Sequence, residues 1–286
     1  MSALRPEADI KLILPKGSAN DPKRTCTRYN LRHDMQHFCK TITSQLALTA
    51  MLRNFTRTLV GLVLIGFPFA VSADCVILLH GLARTSASME KVATAFADRE
   101  YAIANINYPS RKLPIEDLAP LAVEKGLVAC PTDGVVHFVT HSLGGILVRY
   151  YLENYEISRL GRVVMLAPPN QGSEVVNRLR KLPGFRVING KAGGQLGTDE
   201  NSIPLSLGPV DYEVGVIAGT KTVNLLLSRY LPNPNDGKVS VESTKVEGMS
   251  DFLELPHSHP FIMRAPVVIE QTLSFIESGH FNHNAP

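Results

Sequence analysis

The sequence predicts an α/β protein whose mostly parallel sheet is covered by helices on both faces. Three observations lead there: short, continuously apolar strand-like runs, amphipathic helix-like runs between them, and the steady alternation of the two from residue 75 to the end. Strands buried on both faces read as unbroken Val, Ile and Leu rather than as an alternating pattern. Strand, helix, strand repeated in this way favours parallel pairing through right-handed crossovers.

The elements follow in order. Val76-Ile77-Leu78-Leu79 is a short apolar run ending in His80-Gly81. Ser88 to Glu100 is helix-like, with Met89, Val92, Ala93 and Phe96 along one stripe. Tyr101–Tyr108 is strand-like and stops at Pro109, and Ile115–Val128 is helical despite Pro120. Val135–Thr140 is a strand, Leu143–Tyr155 a helix, and Arg162–Leu166 a strand closed by Pro168-Pro169. Glu213–Ala218 and Phe252–Leu255 are further strands, and Val267–Ile276 is the closing helix. Residues 170–210 break the rhythm, being rich in Gly, Asn and Ser, with one amphipathic run at Val175–Arg180. Such an insertion is either a cap over a site or an ordered surface loop.

The 286 residues carry a formal charge of +3, but the charge is unevenly spread. Residues 1–73 hold 10 Lys and Arg against 4 Asp and Glu, and the remainder 19 against 22. The basic character therefore sits in front of the predicted domain, which argues against a nucleic-acid partner. Residues 51–73 read as a signal peptide: Arg53 and Arg57 precede apolar Leu59–Phe69, and Val71-Ser72-Ala73 offers a small-residue cleavage site. A membrane anchor would need about 20 apolar residues, and Pro68 and Asp74 interrupt this run. Asp74 before Cys75 speaks against a lipoprotein signal. Residues 1–50 are read as a non-structural extension, since Cys26, Cys39, His33 and His37 match no metal-ligand spacing. The expected product spans 74–286 and is exported, to the periplasm or beyond.

Chemistry concentrates where Val135–Thr140 runs into His141-Ser142-Leu143-Gly144-Gly145. A Ser at the apex of a strained strand-to-helix turn exposes its Oγ at the C-terminal edge of a sheet, provided its neighbours two positions away are small. Gly144 meets that demand, and Thr140 departs from it. The bland alternative is a Ser that merely caps a helix. His80-Gly81-Leu82 follows the first strand, where an oxyanion would find a backbone donor. The N–H groups of Leu82 and Leu143 are the candidates. An acid and a base must follow the Ser. Asp236, in Asn235-Asp236-Gly237-Lys238-Val239, lies beyond a strand end, whereas Asp211 and Asp251 lie near strand starts. Of His257 and His259, the latter is better placed, with small Ser258 before it and Pro266 opening the last helix.

These residues resemble the α/β-hydrolase superfamily, and more narrowly bacterial secreted lipases and esterases, over essentially all of 75–280. The resemblance implies Ser142 as nucleophile, His259 as base and Asp236 as its orienter, with Thr140 and Ser258 standing where glycines are common. It implies ester cleavage through an acyl-enzyme with no metal or organic cofactor. The same triad also serves amidases, thioesterases and acyltransferases, and a hydrolase fold can act as a binding module without turnover. The expected partner is a small-molecule or lipid ester, with transient contact to a lipid surface. If the usual strand order of this fold holds, the strands at Cys75 and after Cys130 are neighbours. Parallel neighbours about 4.8 Å apart suit the ~5.5 Å Cα separation of a disulfide. A Cys75–Cys130 bond is therefore expected, with two buried free thiols as the alternative.

Overall fold

Residues 73–200 and 202–284 are described by the computed structural model of the chain. The expected extension, with its Cys26, Cys39, His33 and His37, and the expected signal peptide up to Ser72 lie outside the described residues.

Six strands form one sheet: β1 (Cys75–Leu79), β2 (Ala102–Ile106), β3 (Val136–His141), β4 (Leu160–Leu166), β5 (Val214–Gly219) and β6 (Asp251–Leu255). Their order is β2-β1-β3-β4-β5-β6, and every neighbouring pair is parallel. Helices α1 (Glu90–Ala97) and α9 (Pro266–Ser278) cover one face, where Phe96, Val268 and Phe275 join Val76, Leu78 and Val164. Helices α2 (Ile115–Ala129) and α3 (Leu143–Asn154) cover the other, where Leu118 and Ile146 join Ile77, Leu79 and Phe138. Burying each such side chain completely stabilises the fold by about 1.5–3 kcal/mol, so the double cover explains why β1 is apolar throughout and why β3 sends Val136, Phe138 and Val139 into the core.

Strand order also fixes where a site can form. From β1 the chain moves outward to β2, then returns across β1 to β3 and proceeds the opposite way. The loops that leave the C-terminal ends of β1 and β3 therefore diverge, and a crevice opens between them.

Three segments differ from their sequence reading. The first helix begins as a 3-10 turn at Ser86–Met89 and becomes α-helical only at Glu90. The strand expected to reach Tyr108 ends at Ile106, because Tyr108 turns in to stack on His80 with ring centroids 4.1 Å apart. The insertion at 170–210 is more regular than its composition suggests, holding α4 (Glu174–Leu179), α5 (Phe185–Gly194) and α6 (Ile203–Ser206). The α5 sequence is Gly-rich, with β-branched Val187 and Ile188, so its intrinsic propensity is poor. It bends at Gly190 (φ 69), and its buried Phe185 and Ala192 hold it in place. Both roots of the insertion are tied to buried Arg149 of α3. Its guanidinium donates to Asn170 O at 3.1 Å and Oδ1 at 3.2 Å, and to the carbonyls of Leu207 and Gly208 at 3.3 and 3.0 Å. Two short helices, α7 (Leu225–Ser228) and α8 (Val241–Thr244), complete the chain between β5 and β6. No helix among the described residues is long and apolar enough to cross a membrane.

At the edge opposite the crevice, Cys75 and Cys130 form a disulfide with a Cα separation of 5.7 Å. Cys75 opens β1, level with Val136 in the pairing register, and Cys130 caps α2 six residues before β3. The bond spans 55 residues, a loop long enough for a stabilisation of about 2–4 kcal/mol. Non-reducing peptide mapping should recover the two cysteine peptides as one linked species. The Cys75→Ala/Cys130→Ala protein should lose that much stability to urea; equal midpoints with and without the bond would contradict this.

Candidate active site

β3 ends at His141, and the chain then turns through Ser142 with φ 52 and ψ −119 before α3 begins. That left-handed backbone costs a non-glycine residue on the order of 1–3 kcal/mol, so the surroundings must enforce it. One enforcing contact is the approach of α3 to β1. A Cβ at Gly144 would lie 2.6 Å from the carbonyl oxygen of Leu79, a distance no side chain tolerates. The Ser142 N–H also donates to Leu166 O at 2.9 Å, which ties the turn to the end of β4. Thr140, the bulky residue at the other small position, is fully buried, and its hydroxyl donates to Val164 O at 3.3 Å. The Thr is thus absorbed by a neighbouring strand, with Gly145 leaving it room: a Cβ there would stand 3.3 Å from the Thr140 hydroxyl.

The structure brings Ser142, His259 and Asp236 into one hydrogen-bonded row. The Ser142 hydroxyl lies 3.0 Å from His259 Nε2, and His259 Nδ1 lies 2.7 Å from Asp236 Oδ2. All three are buried, at 7%, 8% and 1% exposure, yet Ser142 and His259 still line a cleft. Asp236 sits in the loop between α7 and α8. Its second oxygen accepts the N–H groups of Lys238 at 2.9 Å and Val239 at 2.8 Å, so both oxygens are engaged. The His259 N–H donates to the Asp236 carbonyl at 3.2 Å, fixing one loop against the other. Among the described residues the His257 ring gives no hydrogen bond to this row; Asp251 instead accepts from Phe281 N–H and His283 at the start of β6.

Leu82 lies on the wall of the cleft, and Leu143 is the first residue of α3, its side chain wholly buried. The turn that carries Leu82 is held by groups the sequence reading missed. The Tyr108 N–H donates to His80 Nε2 at 3.3 Å, which leaves the proton on Nδ1 to be given to Gly81 O at 2.9 Å. The Tyr108 hydroxyl donates to His80 O, and the Ala83 N–H to Ser110 Oγ at 3.1 Å. With the Gly81 carbonyl turned to the His80 ring, a trans peptide directs the Leu82 N–H the opposite way.

His141 is a second residue passed over in the sequence. Its Nε2 lies 3.0 Å from the carbonyl of His259, to which it donates, and the two rings stand 4.9 Å apart. Its Nδ1 is buried without a partner, which suits a neutral ring. The usable signal was a histidine ending a strand buried along its whole length; Tyr108 gave no comparable sign.

The cleft has a volume of about 400 Å³. The 170–210 insertion roofs it, lining it with Val175, Val176, Leu179, Phe185 and Leu196.

His80, His137 and His141 are held below the ordinary histidine range, first of all because burial disfavours the charged ring. On unfolding they return to about 6.5. Below that pH the unfolded chain binds protons that the native rings refuse, so stability is full above it and is lost as pH falls through it. The urea midpoint should therefore fall as the pH is lowered from about 7.5 to about 5.5. His141→Asn, which keeps a donor, should show a shallower dependence. A flat midpoint across this range would contradict the assignment.

No protein-family model and no curated protein matches the sequence. Solved structures do match. A lipase of Bacillus licheniformis, BlEst2, in its propeptide form, superposes with a TM-score of 0.57 at 16% identity, covering 74% of this chain and 51% of that one. The chain thus spans about half the length of that form. The mature form gives 0.51 at 18% identity over 73% of this chain and 91% of the lipase. A structure reported for LipS and LipT, metagenome-derived lipolytic enzymes, gives 0.52 at 15% identity over 72% and 94%. At such identities the likeness is one of architecture: the chain has the α/β-hydrolase fold, in a form similar to that of known lipases and esterases.

Proposed function

We propose that the chain is a serine hydrolase that cleaves carboxylic esters through an acyl-enzyme. The observation that carries this reading is the unbroken row from Ser142 Oγ through His259 to Asp236, opening into an apolar cleft. In the first step His259 Nε2 takes the Ser142 proton as Oγ attacks the ester carbonyl. The negative oxygen is received by the N–H groups of Leu82 and Leu143. His259 then returns its proton to the departing alcohol. Water, deprotonated by the same ring, releases the acid and restores Ser142. Asp236 keeps the His259 proton on Nδ1 during the resting state and stabilises the imidazolium as it forms. His141 acts through His259, holding the backbone of its loop.

An acyl chain suits the cleft better than a peptide would, because most of its wall is aliphatic or aromatic. Exposed Val187, Ile188, Val223, Leu225 and Leu226, some of them on the rim, favour brief contact with a lipid surface. The neighbours described as lipases support the same substrate class. The Cys75–Cys130 bond supports an oxidising compartment and hence export with cleavage near Ala73.

Ser142→Ala and His259→Ala should each lower kcat by roughly 10⁴–10⁶, and Asp236→Asn by about 10⁴. A fluorophosphonate probe should label the wild-type protein and not Ser142→Ala; labelling that survives the substitution would end this reading. His257→Ala should remain active, and its inactivation would reassign the base. N-terminal sequencing of exported material should begin within a few residues of Asp74. Membrane-bound protein retaining residues 51–73 would point to an anchor instead.

A further inference from the structure

A second cavity, of about 620 Å³, lies beside the catalytic cleft and shares Ala83 and Arg84 with it. Its walls come from the turn after β1, the loop after β2 and Val187 of α5. Their chemistry is unlike that of the cleft. Arg84, Arg111 and Lys112 line this cavity, and Lys238 lines the cleft near the shared wall. No Asp or Glu lines either space. This is not the average of the molecule, since residues 74–286 hold more acidic than basic side chains, 22 against 19.

None of the four cations forms a salt bridge among the described residues. Arg84 gives a long hydrogen bond to Pro260 O at 3.5 Å, and Arg111 one to Ile188 O at 3.4 Å. Three of them, Arg84, Arg111 and Lys112, surround one concavity; like charges so placed repel each other, and a fold retains that cost most readily where an anion offsets it. The backbone carrying them is fixed. The Ser110 hydroxyl accepts the Ala83 N–H, and a Cβ at Gly190 would collide with the Arg111 carbonyl oxygen at 1.9 Å, so α5 rests directly on this loop.

We infer that this cavity is an anion subsite, and that the ester cleaved at Ser142 carries a carboxylate or phosphate group beside its apolar part. The inference rests on the ester-hydrolase reading for the reaction, though not for the binding. The apolar portion lies in the cleft under α4 and α5. The anionic portion passes Ala83 and Arg84 into the neighbouring cavity and meets Arg111 and Lys112. Substrate choice is then set by two adjoining spaces of opposite character.

Two arms test this with the purified protein. In the first, kcat/KM is compared for neutral esters and esters of matched length bearing a terminal carboxylate, placed once on the acyl side (4-nitrophenyl hexanoate against the 4-nitrophenyl half-ester of adipic acid) and once on the alcohol side. At least one anionic ester should be preferred by about ten-fold at low salt, and the preference should shrink as salt screens the charges. Arg111→Gln/Lys112→Gln should bring the ratio towards one, Arg111→Lys should keep it, and Lys91→Gln, a cation lining neither cavity, should leave it untouched. The ratio is internal to each preparation and so is independent of how much protein folds. In the second arm, calorimetry on Ser142→Ala compares hexyl phosphate with hexanol. The phosphate should bind at least ten-fold more tightly, and Arg111→Gln/Lys112→Gln in that background should remove the difference. Equal binding of phosphate and alcohol, or a preference that survives the double substitution, overturns the subsite. Absence of turnover on every ester alongside intact phosphate binding would instead overturn the hydrolase reading.

Discussion

Everything at the candidate site depends on how closely α3 approaches β1 behind Ser142. The helix starts with Gly144 against the Leu79 carbonyl, where even a methyl group would stand at 2.6 Å. That approach forces the chain through φ 52 at Ser142, a conformation that lifts the hydroxyl clear of both strand and helix. The strain, on the order of 1–3 kcal/mol, is small beside the apolar contacts of β1, β3 and α3 around it. A strand buried on both faces can hold such a turn; an edge strand, free to shift, would relax it.

The same sheet then supplies partners without further strain. The three site loops leave the C-terminal ends of β3, β5 and β6, so parallel pairing alone places them along one edge. What remains is to fix the loops against each other, and backbone hydrogen bonds do this. His259 N–H meets the Asp236 carbonyl, the Asp236 carboxylate receives Lys238 and Val239, and His141 reaches the His259 carbonyl. On the far side of Ser142, His80 and Tyr108 hold the turn of Leu82 in the same fashion. Two buried histidines thus serve as struts, one for each side of the candidate site.

Much of this architecture was legible in the sequence because burial on both faces leaves a strong local mark. Val76–Leu79 and Val135–Thr140 could hardly be read as anything but interior strands, and Gly144 announced the tight turn. The order Ser, Asp, His along the chain, with the acid expected beyond a strand end rather than near a strand start, favoured Asp236 over Asp211 and Asp251 and left a pair of histidines two residues apart. Features that depend on distant contacts left no such mark. Helix α5 forms from a Gly-rich segment with poor propensity because Phe185 and Ala192 find a place in the core. Arg149 looks like any helical arginine, yet it binds four carbonyl-type oxygens at the roots of the insertion. Arg84 stands well before the adjacent Arg111 and Lys112 in the chain, and the three share a cavity only once β1 and β2 are paired side by side.

The central claim is that the turn at Ser142 holds one oxygen nucleophile between His259 and two backbone donors. The most direct measurement is a crystal structure of the protein after reaction with a short alkyl phosphonate ester, which mimics the tetrahedral intermediate. The account predicts phosphorus bonded to Ser142 Oγ, its free oxygen within about 2.7–3.1 Å of the N–H groups of Leu82 and Leu143, and the alkyl chain beneath α4 and α5. Phosphorus bonded elsewhere, or a free oxygen turned to solvent away from both donors, would contradict it.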